Sequence, residues 1–181
     1  MILPLVKEPH PILRQRAQRV LKVSPEIRRL IGDMVEAMHS AHGVGLAANQ
    51  VGSPWHILVA DPEATPGDEL ILLNARILRR KGSISSPEGC LSLPGLSADV
   101  TRAAEVTVEG LDAEGRPRSI VARGLLARIL QHEVDHLEGR LYVDRVSYWQ
   151  RRRLIRRYRE LAQTLTQIDL KTGERRRQPE R

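Results

Sequence analysis

Apolar positions recur along the chain with two periods, and the change from one to the other marks its elements. Ile27, Leu30, Ile31, Met34, Val35 and Met38 return every three or four residues, the spacing of one helix face. Ser24-Pro25-Glu26 supplies an N-cap, a proline at the first helical position and an acidic first turn, so the pattern predicts a helix over about 25–40. Gly43-Val44-Gly45 then predicts a loop. Residues 55–60, 70–78 and 105–111 are rich in Ile, Leu and Val and read as strands, with Val106 and Val108 at period two. Another strand is expected over 117–122, after the Glu114-Gly115 turn. Leu125 to Leu137 is helical in pattern, and 147–166 predicts a long amphipathic helix. Pro4, Pro9 and Pro11 keep residues 1–23 extended or irregular. The order helix, strands, helix, helix predicts an α+β fold, with mixed or antiparallel strands around the 125–137 helix and an amphipathic helix at the end. No repeat or linker interrupts the chain, so one domain is expected over 1–168, with a polar, flexible tail over 169–181.

Composition narrows the function classes. At 181 residues, 41% hydrophobic and 28% charged, the chain has ordinary globular usage, which excludes wholesale disorder. It has no Phe, two Trp and three Tyr, so the core must be aliphatic and a base-stacking single-strand binder is disfavoured. A single cysteine, Cys90, excludes an intramolecular disulfide. The N-terminus does not read as a signal peptide and no apolar run is long enough to cross a bilayer, so no membrane association and a cytoplasmic location are expected. The net charge of +7 is uneven: residues 145–181 hold 12 Lys and Arg against 4 Asp and Glu. Such a basic end suits either an anionic partner or a solvated face.

Chemistry concentrates in His132-Glu133-Val134-Asp135-His136. Two histidines four apart share one face of a helix and can reach one metal ion, while the glutamate between them can take a proton from water. A metal lowers the pKa of bound water to about 7. Such a site wants a third protein ligand. Tyr142 stands where one protease class has a histidine, which leaves Glu160 and Cys90. Glu160 follows a run of arginines and suits an ion pair; Cys90 sits in the turn-rich stretch Ser86-Pro87-Glu88-Gly89-Cys90-Leu91-Ser92.

Three separated segments together resemble the bacterial peptide deformylases: Gly43-Val44-Gly45-Leu46-Ala47-Ala48-Asn49-Gln50, Glu88-Gly89-Cys90-Leu91-Ser92 and Gln131-His132-Glu133-Val134-Asp135-His136. Order and spacing agree as well, and the likeness runs from about Pro9 to Tyr148. The resemblance implies removal of the formyl group from N-formylmethionine at the start of new polypeptides, with release of formate. It implies Cys90, His132 and His136 as metal ligands and Glu133 as general base and then acid while metal-bound hydroxide attacks. The Gln50 side chain and the Leu91 backbone N–H would stabilise the developing oxyanion. Gly45 would let the substrate backbone pass close, and Val44, Leu125 and Ile129 would line the methionine pocket. Arg128, one turn before His132, is expected to snorkel past the pocket rim. Arg102 is a candidate ion-pair partner for Glu88. The ligand set alone suits Zn²⁺; the resemblance implies one Fe²⁺ per chain, with Ni²⁺ or Zn²⁺ as substitutes.

Implied partners are a nascent formyl-Met polypeptide and, through the basic C-terminal helix, the ribosome; a monomer with no specific DNA binding is expected. On a helical wheel Leu154, Ile155, Tyr158, Leu161, Ala162 and Leu165 fall on one side, and Arg152, Arg153, Arg156, Arg157 and Arg159 on the other. Two rival readings remain: a small metallopeptidase with Glu160 as third ligand, and a non-catalytic basic module that binds ribosome or RNA.

Overall fold

The structure, a computed structural model, describes residues 2–172, with side chains as far as Gln163. Three helices and seven strands succeed one another: α1 (Pro25–Ser40), β1 (Gly45–Ala47), β2 (Ile57–Ala60), β3 (Leu70–Lys81), β4 (Ile84–Gly89), β5 (Ser97–Arg102), β6 (Glu105–Leu111), β7 (Pro117–Arg123), α2 (Gly124–Leu137) and α3 (Tyr148–Thr172). Five strands form a sheet in the order β1-β2-β3-β6-β7, and β4 pairs with β5 in a second sheet. Every strand pairing is antiparallel. The fold is α+β.

The larger sheet is covered on both faces, which explains why β2 is apolar at every position. Ile57 and Val59 turn to α1 and meet Ile31, Met34 and Met38. Leu58 and Ala60 turn the other way, where Leu130, Val134 and Leu137 of α2 pack with Leu72, Val106 and Val108. β1 splits likewise, with Leu46 on the α1 side and Ala47 on the α2 side. α1 begins where its capping residues predict, with the Ser24 hydroxyl accepting from the Ile27 N–H. A third apolar cluster joins Leu93, Ala98 and Val100 to Tyr142, Leu154 and Tyr158, and so seats α3 beside the smaller sheet.

Several expectations need correction. The Gly43-Val44-Gly45 loop gives way to β1 at Gly45, and a 3₁₀ turn follows over Ala48–Val51. β4 and β5 escape a periodicity reading for identifiable reasons. β4 is largely exposed and carries Pro87, so it reads as a turn. β5 alternates cleanly, but the third inward position after Ala98 and Val100 is Arg102. β3 runs to Lys81 rather than 78, and α3 spans Tyr148–Thr172 rather than 147–166. The expected tail therefore begins inside helical backbone; its residues 173–181, like the Leu165 side chain, lie outside the described residues. No helix among the described residues is long and apolar enough to cross a membrane.

Candidate active site

α2 carries His132 and His136 one turn apart, and the end of β4 delivers Cys90 to them. One ligand atom from each of the three lies within 4.8 Å of the others. Cys90 Sγ is 3.2 Å from His136 Nε2. His132 Nδ1 is 3.0 Å from Glu88 Oε2, so this ring turns its Nε2 toward the cysteine. His136 Nδ1 is buried and has no hydrogen-bond partner. Glu160, by contrast, sits on the exposed side of α3 and accepts from Arg156 Nε at 2.9 Å.

Burial and neighbouring charges shift the groups around this trio in opposite directions. Burial pushes the Glu88 carboxyl up, but hydrogen bonds from His132 and Arg102 outweigh it and hold it at about 2. Burial lowers the His132 pKa, yet its bonds with Cys90 and Glu88 prevail and raise it well above the ordinary value. Burial, helped by the neighbouring His132 and Arg102 charges, keeps His136 well below its ordinary value and so neutral, the form that ligates. A soft thiol with two imidazole nitrogens is a donor set that fits Fe²⁺, Ni²⁺ or Zn²⁺.

A set of buried ion pairs anchors the site from below. Arg102 grips Glu88 bidentately, Nε to Oε1 and Nη2 to Oε2 at 2.9 Å each, which is the ion pair expected from sequence. Its Nη1 reaches Asp135 Oδ2 at 2.5 Å, and Arg145 holds the same carboxylate through both oxygens. Arg128 does not snorkel outward. Its Nη1 donates to Glu88 Oε1 at 2.7 Å and to the Ser86 carbonyl at 3.1 Å, because the buried Glu88 carboxylate on β4 outcompetes solvent.

Above the trio opens a cavity of about 610 Å³, bordered by Val44, Gly45, Gln50, Leu91, Leu125 and Ile129. Val44 and Leu125 are 38% and 50% exposed, so they are cavity rim rather than core, whereas Ile129 is buried. Glu133 enters from α2 with Oε2 buried and unpartnered, and burial pushes its carboxyl up to about 7. Gln50 Oε1 accepts from the Ala47 N–H at 2.8 Å, which turns Nε2 toward Ser92 Oγ at 3.3 Å and Cys90 Sγ at 3.6 Å. Gly45 has a reason of its own: a Cβ there would stand 2.6 Å from both Glu133 Oε1 and Ile129 Cγ2. β1 and α2 can approach this closely only without that carbon.

The sequence profile of the family described as Polypeptide deformylase matches residues 2–152. The chain belongs to the polypeptide deformylase family. It is 45% identical over 161 residues to a peptide deformylase of Alkalilimnicola ehrlichii, covering 88% of this chain and 90% of that protein. It is 44% identical over 165 residues to one from Nitrosococcus oceani, covering 91% and 98%. Among solved structures, a peptide deformylase from Legionella pneumophila superposes with a TM-score of 0.87 at 36% identity, covering 92% of this chain and 98% of that one. Another, from Synechococcus elongatus in complex with actinonin, gives a TM-score of 0.82 at 42% identity and covers 86% of each chain. Sequence reasoning missed the deformylase's supporting residues: Glu88 as the partner that orients His132, Asp135 with Arg145, and Asn49, whose Nδ2 donates to the His136 carbonyl at 2.6 Å. Arg128 on the same helix face as His132 was the available signal for a buried acid nearby.

Two substitutions test this construction. Arg102→Met should cost about 3–5 kcal/mol in urea unfolding, because Glu88 and Asp135 would stay buried with too little positive charge. A loss under about 1 kcal/mol would mean that the network does not hold the site. Gly45→Ala should displace Glu133 and lower deformylase kcat by about 10²-fold or more, while metal content measured by mass spectrometry stays normal. Turnover within about twofold of the parent chain would show that β1 and α2 have room to spare.

Proposed function

We propose that this chain removes the formyl group from N-formylmethionine at the start of newly made polypeptides, with Cys90, His132 and His136 holding one Fe²⁺ per chain. Ni²⁺ or Zn²⁺ would serve as substitutes. The observation that carries the reading is the convergence, in one apolar-rimmed cavity, of a Cys/His/His cradle with a buried carboxyl and a side-chain amide. Bound there, the cation supplies Lewis acidity next to the formyl carbonyl.

The chain's own groups account for the remaining steps. Val44, Leu125 and Ile129 form the apolar wall on which the methionine side chain would rest, and covering the exposed Val44 and Leu125 would strengthen its binding. The Glu133 carboxylate accepts a proton from the attacking water as its oxygen bonds to the formyl carbon. Negative charge gathers on the former carbonyl oxygen, where Gln50 Nε2 and the Leu91 N–H would donate. The protonated Glu133 then gives its proton to the leaving nitrogen as the C–N bond breaks, so a free amine departs with formic acid, which loses its remaining proton to solvent as formate. A carboxyl that ionises near neutrality suits both halves of this exchange.

The catalytic unit is proposed to span 1–168, to act as a monomer and to work in the cytoplasm, where its substrate is made. Its basic helix offers a route to that substrate. Arg152, Arg153, Arg156, Arg157 and Arg159 are all exposed on α3, while Leu154 and Tyr158 are buried against the body of the chain. Such a face would grip the phosphate-dense ribosome surface through contacts that weaken as salt rises.

Two measurements check these assignments. Glu133→Ala should keep its metal, since Glu133 is no ligand, yet lower the rate of formate release from a formyl-Met peptide by about 10²–10⁴-fold or more. A variant with a tenth of normal kcat would refute the general-base role. Replacing Arg152, Arg156 and Arg159 together by Glu should abolish ribosome co-sedimentation at low salt but leave short-peptide turnover nearly unchanged. Undiminished co-sedimentation would reduce the arginine face to solvated surface.

A further inference from the structure

Among the described residues, a second set of metal-ligating side chains converges on the α1 side of the sheet, away from Cys90. His39, Asp61 and Glu69 each place one ligand atom within 4.8 Å of the other two. They come from three elements: the last turn of α1, the residue after β2 and the residue before β3. His39 Nε2 lies 3.1 Å from Asp61 Oδ2 and 3.5 Å from Glu69 Oε1, and Glu69 Oε1 also accepts from the Gly67 N–H at 3.0 Å. Asp61 is only 1% exposed. Its Oδ2 and His39 Nε2 are both buried, and neither makes a hydrogen bond. The two atoms face each other without the angles that a hydrogen bond requires.

We infer that His39, Asp61 and Glu69 form a second divalent-cation site, distinct from the deformylase centre. The charge arithmetic favours it. A protonated His39 would offset one of the two carboxylates, whereas a divalent cation offsets both and takes the imidazole lone pair as well. One imidazole with two carboxylates is a harder donor set than Cys/His/His, and it suits Zn²⁺, Mn²⁺ or Fe²⁺ with water completing the shell. His39 and Glu69 keep side-chain exposures of 24% and 11%, which leaves the position reachable from solvent. The role is structural. The cation clamps the 61–69 connection onto the end of α1, and the Asp61 N–H donates to the Val44 carbonyl at 2.8 Å, so the clamp steadies the rim of the catalytic cavity.

Zn²⁺ is the probe, and the count of metal per chain is the readout. After equilibrium dialysis against micromolar Zn²⁺, the parent chain should hold two equivalents by mass spectrometry. His39→Ala, in the half-buried last turn of α1, and Glu69→Gln should each hold one, with peptide turnover within about twofold of the parent. Cys90→Ser should lose the other equivalent and keep this one, which separates failure of this site from failure of the deformylase reading. Added to chains already carrying one equivalent, Zn²⁺ should raise the melting temperature of the parent and not of His39→Ala. A parent chain that binds one equivalent, or variants that still bind two, would overturn the inference.

Discussion

Glu88 is buried with both of its oxygens engaged, Oε1 by Arg102 and Arg128 and Oε2 by Arg102 and His132. An ionised carboxylate in that position is tolerable only with all these donors present, because removing one partner strands the others as buried charge. The consequence spreads outward. Arg102 brings β5 against β4, its reach to Asp135 ties both strands to α2, and Arg145 fastens the segment that follows the helix. Because Glu88 accepts at Nδ1, His132 carries a proton there and turns Nε2 toward Cys90, where it could meet a metal. The orientation of a candidate ligand is therefore decided by a carboxylate on a strand some forty residues away in sequence.

Volume sets the second condition. Ala47 and Gly45 are the residues β1 places nearest α2, and small side chains there let the helix lie close to the strand. The same closeness strips water from Glu133 and leaves its Oε2 without a donor. α1 has no such demand on the opposite face, where Met34 and Met38 fill the space against β2. The two faces of the sheet thus differ in how closely a helix approaches them.

Legibility in the sequence followed these physical causes. α1 was readable because capping and periodicity agree at Ser24 to Met38, and β2, β6 and β7 were readable because their apolar positions answer to a helix or a neighbouring strand. β4 and β5 were hidden because the groups they bury are Glu88 and Arg102, and hydropathy scores a buried ion pair as surface. The cysteine and histidines could be read as metal-binding types from their local setting, yet their partners could not. A hydrogen bond from Arg128 to Glu88 spans forty positions and leaves no periodic trace. Gly45 was legible as a glycine that something must approach; that the first thing to approach it is Glu133 needed the fold.

Two carboxyls, forty-five residues apart in sequence and brought to one site, end with opposite proton affinities. Both suffer burial, which alone would raise both. Glu88 meets four donors and is held at about 2, so at neutral pH it is a fixed negative charge that orients His132. Glu133 lies across the same helix turn, but Gly45 faces it with a bare backbone carbon and its Oε2 finds no donor, so it rises to about 7. A cation held by Cys90 and the histidines would lower that value and favour the ionised carboxylate. The opposite proton affinities of these two carboxyls thus come from where the donors are, not from the residue type.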